Sequence, residues 1–372
     1  MRYNYFKFLI CILFLFSSVS YPQSDNIEVV SQTVIGYPVI QNFIPKKYKA
    51  HNQNWAIVKD KRGVIYFGNS AGLLEFDGYD WNLIDIPNGV VRSLAVDSNG
   101  TIFIGSADDL GYLSNNKASG AKQFKSLLNL LPVKESIGHV WYTYNIDNFI
   151  FFITNSFIFR LSFNNNDYSN PEIKYWHCKV KYRAAFKVEN NLFVQERSEG
   201  VLKYDNDEFI HQPGFDVIKD QSLYSMLPYD NNSILLATKE KGLYLYNDGK
   251  TEPFKSEANK YLLKNEVYLP GAKLPDQTFA FGTAQGGAII IYHNGTVARV
   301  IDKRAGILDD GVLYIYYTDG KLWLALQNGI SVIDLPSAVG SFDYDSGLKG
   351  AVVETYLSNK NLYAATTTGI FK

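Results

Sequence analysis

Cysteine is nearly absent: Cys11 and Cys178 are the two in 372 residues. Cys11 sits inside an apolar leader, so Cys178 alone remains behind it and no intrachain disulfide can form there. A chain of about 350 residues buries enough core to fold without one. Methionine is just as scarce, with Met226 the one residue after Met1. Helix-period patterns are almost missing. Charge of one sign is not in excess either: 36 Lys and Arg stand against 37 Asp and Glu, which argues against a nucleic-acid partner. Five histidines, His51, His139, His177, His211 and His293, are scattered with no metal-ligand spacing. The acidic pairs Asp108-Asp109 and Asp309-Asp310 lack the spacing of a calcium loop. Gly68, Gly72, Gly286 and Gly287 precede no helix that could present its N-terminus to a phosphate. No nucleophile or paired-carboxylate motif appears. These absences predict no catalytic residue, no metal and no cofactor.

What is present begins with a leader. Arg2 and Lys7 precede the apolar run Phe8 to Phe16, and Ser18-Val19-Ser20 offers small residues at a cleavage position. Residues 1–20 therefore read as a secretory signal peptide, the apolar run being about half of the roughly 20 residues a membrane span needs. The expected location is exported and periplasmic, tethered only if a longer protein continues into a membrane helix.

Behind the leader, residues 55 to 83 read as three or four short strands, rich in aromatic and β-branched residues that suit a pleated, half-buried surface. Asp77-Gly78 separates two of them and reads as a type I′ hairpin turn. Gly78 is thus expected to need positive φ, whereas Gly120, in a polar loop, is expected to tolerate a side chain. One such unit has two open edges and little core, so it must repeat, and it does. Gly72, Gly111, Ser156, Gly200, Gly242, Gly287, Gly329 and Gly369 open corresponding strands 39 to 45 residues apart. A strand such as VIYFG, TIFIG or LWLAL precedes each marker. That period indicates an all-β propeller of seven or eight four-stranded blades. Two closures stay open. In one, Thr33–Ile40 supplies the outer strand of an eighth blade. In the other, seven blades end near Leu335 and Val352–Lys372 begins a second propeller. The expected organisation is residues 21–50 as an N-terminal segment with a closing strand, 51–337 as propeller, and 338–372 as a further, incomplete blade of a truncated longer protein.

The segments GYPVIQNFIPKKYKAHNQNWAI (36 to 57), RGVIYFGNSAGLLEFDGYDW (62 to 81) and VRSLAVDSNGTIFIG (91 to 105) resemble the propeller repeats of bacterial two-component regulator proteins, and LWLALQNGISVID (322 to 334) carries the same pattern. Units three and four depart, with Ser156 for the marker glycine and ERSEG for the small-residue turn. The resemblance implies an exported sensor domain ahead of a downstream signalling module, such as a histidine kinase or a DNA-binding region, that these residues do not include.

The expected function is extracytoplasmic ligand sensing, with a small molecule or glycan as ligand and a homodimer left open. The alternatives are a propeller glycosidase or lyase and a protein-interaction scaffold. Loops held by a rigid scaffold carry binding residues. Turns between second and third strands should share a face with the connections that open each first strand. That face collects Trp55, Arg92, Asp108, Asp109, His139, Trp141, Arg183 and Arg197 as candidate ligand-binding residues, with the tryptophans as contact surfaces and Arg92 and Arg183 as anchors for an anionic or hydroxylated group.

Export of the native protein should leave a mature N-terminus close to Ser20, which mass spectrometry of the secreted chain reads directly. Retention of residues 1–20 would contradict the leader.

Overall fold

Residues 36–116, 120–335, 340–342, 347–359 and 361–372 are described by the computed structural model. The leader, residues 1–20, and the 21–35 part of the N-terminal segment lie outside the described residues. Seven four-stranded antiparallel sheets follow one another as blades of a β-propeller. Blade 1 holds Asn54–Lys59, Ile65–Asn69, Gly72–Phe76 and Trp81–Ile84. The first strands of blades 2 to 7 are Val91–Val96, Tyr142–Ile146, Tyr182–Val188, Leu223–Asp230, Val267–Lys273 and Val312–Thr318. Each first strand packs beside the next, and that of blade 7 returns to that of blade 1, so the ring is closed.

Local chemistry explains the blade. Asp248-Gly249 and Asp319-Gly320 have positive φ at both positions, the type I′ geometry that matches the twist of paired strands. Asp77-Gly78 differs from expectation. Its loop runs Asp77 to Asp80 and only Gly78 has positive φ (104°), while Asp77 Oδ1 accepts the N–H groups of Tyr79 (2.9 Å) and Asp80 (2.8 Å). Gly120 also has positive φ (69°), so a β-branched residue is strained there too, contrary to the tolerance expected from its polar surroundings. The departures of the repeat also have causes. In blade 2 the left-handed residue of the turn is Asp108 (φ 59°). Ser156 does not have positive φ; Thr154 Oγ1 accepts its N–H (3.1 Å) and that of Phe157 (2.8 Å).

Blade spacing is set by small residues. A Cβ on Gly68, Gly105 or Gly282 would lie 3.0, 2.5 or 2.8 Å from Val91, Val140 or Val312, the valines that lead into the next blade. Glycine near the end of the second strand therefore lets adjacent sheets approach, and the second strands Ile65–Asn69, Ile102–Ser106 and Phe279–Thr283 are buried throughout.

Closure resolves in favour of seven blades. Blade 7 is built from Val312–Thr318, Lys321–Leu326 and Gly329–Asp334, and its outer strand is Ile40–Phe43. The register pairs Ile40 with Ile333 and Phe43 with Ile330. The pairing strand is thus 40–43, not 33–40, and it completes the seventh blade rather than an eighth. The reason is Phe43, 1% exposed, which enters an aromatic seam with Phe76, Trp81 and Trp323 at ring separations of 5.3, 5.2 and 6.4 Å. Asn54 and Asn69 are buried in the same seam, where Asn69 Nδ2 donates to Asn54 Oδ1 (2.8 Å) and to the His51 carbonyl (2.7 Å). Val352–Ser358, Asn361–Thr366 and Gly369–Phe371 form a separate three-stranded sheet that pairs with none of the seven. Among the described residues no helix is long and apolar enough to cross a membrane.

Phe43→Ala removes an aromatic ring from this seam and should cost about 3–5 kcal/mol of stability. Equilibrium denaturation with urea checks this, and a loss under about 1 kcal/mol would show that the closing strand contributes little.

Candidate functional site at the channel mouth

The first strands share one irregularity. Trp55, Arg92, Arg183, Tyr224 and Leu313 are each the extra residue of a β-bulge at the start of a first strand. Blade 6 has a longer bulge between Tyr268 and Ala272. In blade 3, Trp141 stands at the same level, its N–H bonding the carbonyl of Ile153, which pairs with Tyr142. A bulge leaves one residue unpaired and re-aims its side chain. Seven such positions in a closed ring surround one end of the central channel.

That channel holds a cavity of about 340 Å³ lined by residues from all seven first strands, within the range of small-molecule sites. Trp55, Arg92, Trp141, Tyr268 and Leu313 line it near this mouth, and Tyr142, Tyr144, Tyr314 and Tyr316 line it further in. Each indole is fixed by its edge, Trp55 Nε1 donating to Ser70 Oγ (2.8 Å) and Trp141 Nε1 to Asn155 Oδ1 (3.0 Å). Between them lies Arg92, its Cζ 3.9 Å from the Trp55 ring and 5.2 Å from the Trp141 ring. Stacking of a guanidinium on indole is favourable, but it satisfies no N–H. Arg92 Nε and Nη1 are buried without a hydrogen-bond partner.

Burial pulls the Arg92 pKa down and the neighbouring Tyr268 opposes it; arginine stays cationic at physiological pH. His139 packs 5.2 Å from the Trp141 ring with its buried Nδ1 unpartnered. Burial and then the Arg92 charge push its pKa down, against a smaller upward pull from Asp108, so the imidazole is neutral at pH 7. Burial raises the hydroxyls of Tyr142 and Tyr144, and that of Tyr314 to about 12. The channel thus presents neutral phenols beside one unpaired guanidinium.

Of the eight residues expected at the site, four assemble here: Trp55, Arg92, Trp141 and, behind Trp141, His139. Four do not. Asp108 is exposed, and its Oδ1 accepts from Ser136 Oγ (2.9 Å) and the Gly138 N–H (3.0 Å), tying a loop. Asp109 is buried, raised by that burial, and bonded to Ser126 Oγ (2.6 Å) on the outermost strand of blade 2, away from the channel. Arg183 is half-buried at the bulge of blade 4 but does not line the cavity. Arg197 is exposed on a turn whose N–H bonds the Lys181 carbonyl (2.9 Å). The lining tyrosines escaped the sequence reading; the signal for them is the alternation in WYTYNI and VLYIYYT, first strands with an aromatic at every second position. Among the described residues, no group of three or more His, Cys, Asp or Glu is placed to hold a metal.

No protein-family model matches the chain. No curated protein matches it either. Solved structures do. The extracellular domain of a Bacteroides thetaiotaomicron (B. thetaiotaomicron) protein described as a hybrid two-component system is 16% identical, with a TM-score of 0.67 over 90% of this chain and 48% of that one. The extracellular domain of a protein described as a one-component system from the same organism is 14% identical, with a TM-score of 0.62 over 90% and 45%. Virginiamycin B lyase from Staphylococcus aureus is 11% identical, with a TM-score of 0.58 over 80% and 99%. The chain therefore spans about half the length of the two sensor domains, and at these identities the likeness establishes the propeller fold.

The rim is held by buried polar groups, and one of them gives a pH test. Burial works to raise the Glu196 carboxyl but is outweighed by bonds from Ser198 and from the N–H groups of Val180, Glu199 and Lys181, which bring it from 4.5 to about 2. A depressed carboxylate adds stability above its unfolded pKa and loses it as pH falls through the folded value. The stability gap between wild type and Glu196→Gln should therefore be full at pH 6 and shrink between about pH 4.5 and 2, as measured by urea denaturation across that window. A gap that does not change with pH would contradict the ionised, bonded state.

Proposed function

We propose that this propeller is the extracytoplasmic, ligand-binding input domain of a two-component-type signalling protein. The observation that carries the reading is Arg92, an unpaired cation stacked between two anchored tryptophans at the mouth of a ring-lined cavity. Buried donors without partners are costly, and a cation kept on a cavity wall at that cost is a ligand contact through Nη2, the nitrogen that is not covered. The likeness to extracellular domains of signalling proteins supports the sensor role. On this reading the leader directs export, and Val352–Phe371 opens a second propeller. The longer protein then continues toward a membrane helix and an output module. The domain itself has no catalytic role. The likeness to a propeller lyase supports an enzyme as the second reading, but among the described residues the cavity lining includes no carboxylate and no histidine to act as acid or base.

A thermal-shift screen of small molecules and glycans on the mature chain tests the site. Compounds that stabilise the wild type should bind about tenfold more weakly to Trp141→Ala and to Arg92→Ala. Unchanged affinity in both variants, with the fold intact, would place the site elsewhere.

A further inference from the structure

We infer that the channel selects a small organic anion, an inference that rests on the reading of this mouth as the ligand site. Among the described residues the lining contains three cations, Arg92, Lys187 and Lys273, and no Asp or Glu. This is not a property of the whole chain, whose formal net charge is −1. Elsewhere in the ring cations meet carboxylates: Lys59 pairs with Asp319, Lys122 with Glu75, and Arg160 with Asp207. The channel cations do not. Lys187 Nζ donates to the Asn145 carbonyl (2.6 Å) and Lys273 Nζ to the Tyr229 carbonyl (3.1 Å). Arg92 has no bonded partner on its buried nitrogens.

Two acids that act near the channel lie outside its lining and are hydrogen-bonded by residues of neighbouring loops. Asp147, which acts on Lys187, is bonded by Asn190, and Asp108, which acts on His139, is held by Ser136 and Gly138. Charges of one sign on the low-dielectric wall of a narrow cavity focus their field along it and raise the local concentration of counter-ions. Arg92 lies at the bulge level of its first strand and Lys187 four residues beyond the bulge of another, an offset along the strand direction of about 13 Å at roughly 3.3 Å per residue. The field therefore acts along the whole cavity rather than at one point. Because Arg92 Nε and Nη1 are covered, an incoming anion meets the guanidinium at Nη2, with the tryptophan faces on either side and the Tyr268 hydroxyl beside it. A carboxylate on a flat or ring-shaped body fits this set; cationic ligands do not.

Tryptophan fluorescence tests the inference with three quenchers: iodide, caesium and uncharged acrylamide, at one ionic strength, on the mature chain. The emission lost in the double variant Trp55→Phe/Trp141→Phe defines the mouth component. With each slope divided by that of N-acetyltryptophanamide in the same buffer, iodide should quench that component at least about threefold more steeply than caesium, and Arg92→Gln should bring the two slopes together. Lys187→Gln, at the far end, should lower the iodide slope by a smaller factor and serves if Arg92→Gln does not fold. Acrylamide quenching with equal iodide and caesium slopes would overturn the anion preference while leaving the mouth open to ligands. An iodide preference that survives both substitutions would overturn its assignment to these cations. Failure of acrylamide to quench would mean a sealed mouth, and would overturn the ligand site itself.

Discussion

Everything in this molecule depends on how a ring of sheets disposes of its last edge. Each blade alone exposes unpaired N–H and C=O groups on both flanks. Packing first strands side by side hides one flank, and an outer strand facing solvent is tolerable for six blades made from contiguous sequence. The seventh is different, because its three contiguous strands end at Asp334. The chain solves this with Ile40–Phe43, which reaches back across almost 300 positions to pair with Ile330–Ile333. The pairing ties the beginning of the ring to its end, and the aromatic seam of Phe43, Phe76, Trp81 and Trp323 makes the joint apolar as well as hydrogen-bonded.

Closure is also what creates the candidate site. A bulge at the start of one strand re-aims one side chain; seven strand starts brought into a circle make a rim. Trp55 and Arg92 come from adjacent blades and Trp141 from the next, so the stacked trio exists only when three blades hold their angular positions. The small residues Gly68 and Gly105 hold those positions, since a Cβ at either would push the following blade away. Geometry at the mouth is therefore a consequence of packing at the blade interfaces, and the functional reading inherits its precision from the core.

The repeat was legible because strand chemistry is local. Aromatic and β-branched runs, turn dipeptides and a marker glycine recur whatever the surroundings. Trp55, Arg92 and Trp141 were legible as strand openers for the same reason. Asp109 was not, because its direction is decided by Ser126, a hydrogen-bond partner 17 positions away on the outer strand. The closing strand was misplaced because IQNF has only one fully buried side chain, Phe43, and its strand character comes from a long-range partner. The absence of carboxylates from the channel is likewise a property of which alternate residues face inward in seven strands at once.

The central claim is that Ile40–Phe43 is an integral strand of the seventh blade. Hydrogen–deuterium exchange measures it without altering the chain. The account predicts that the amides of 40–43 exchange in step with those of Gly329–Asp334 and within an order of magnitude of the buried second strands, since all open in one cooperative event. Fast exchange across 40–43 beside a protected 329–334 would mean that the ring holds without its closing strand, and would contradict the account.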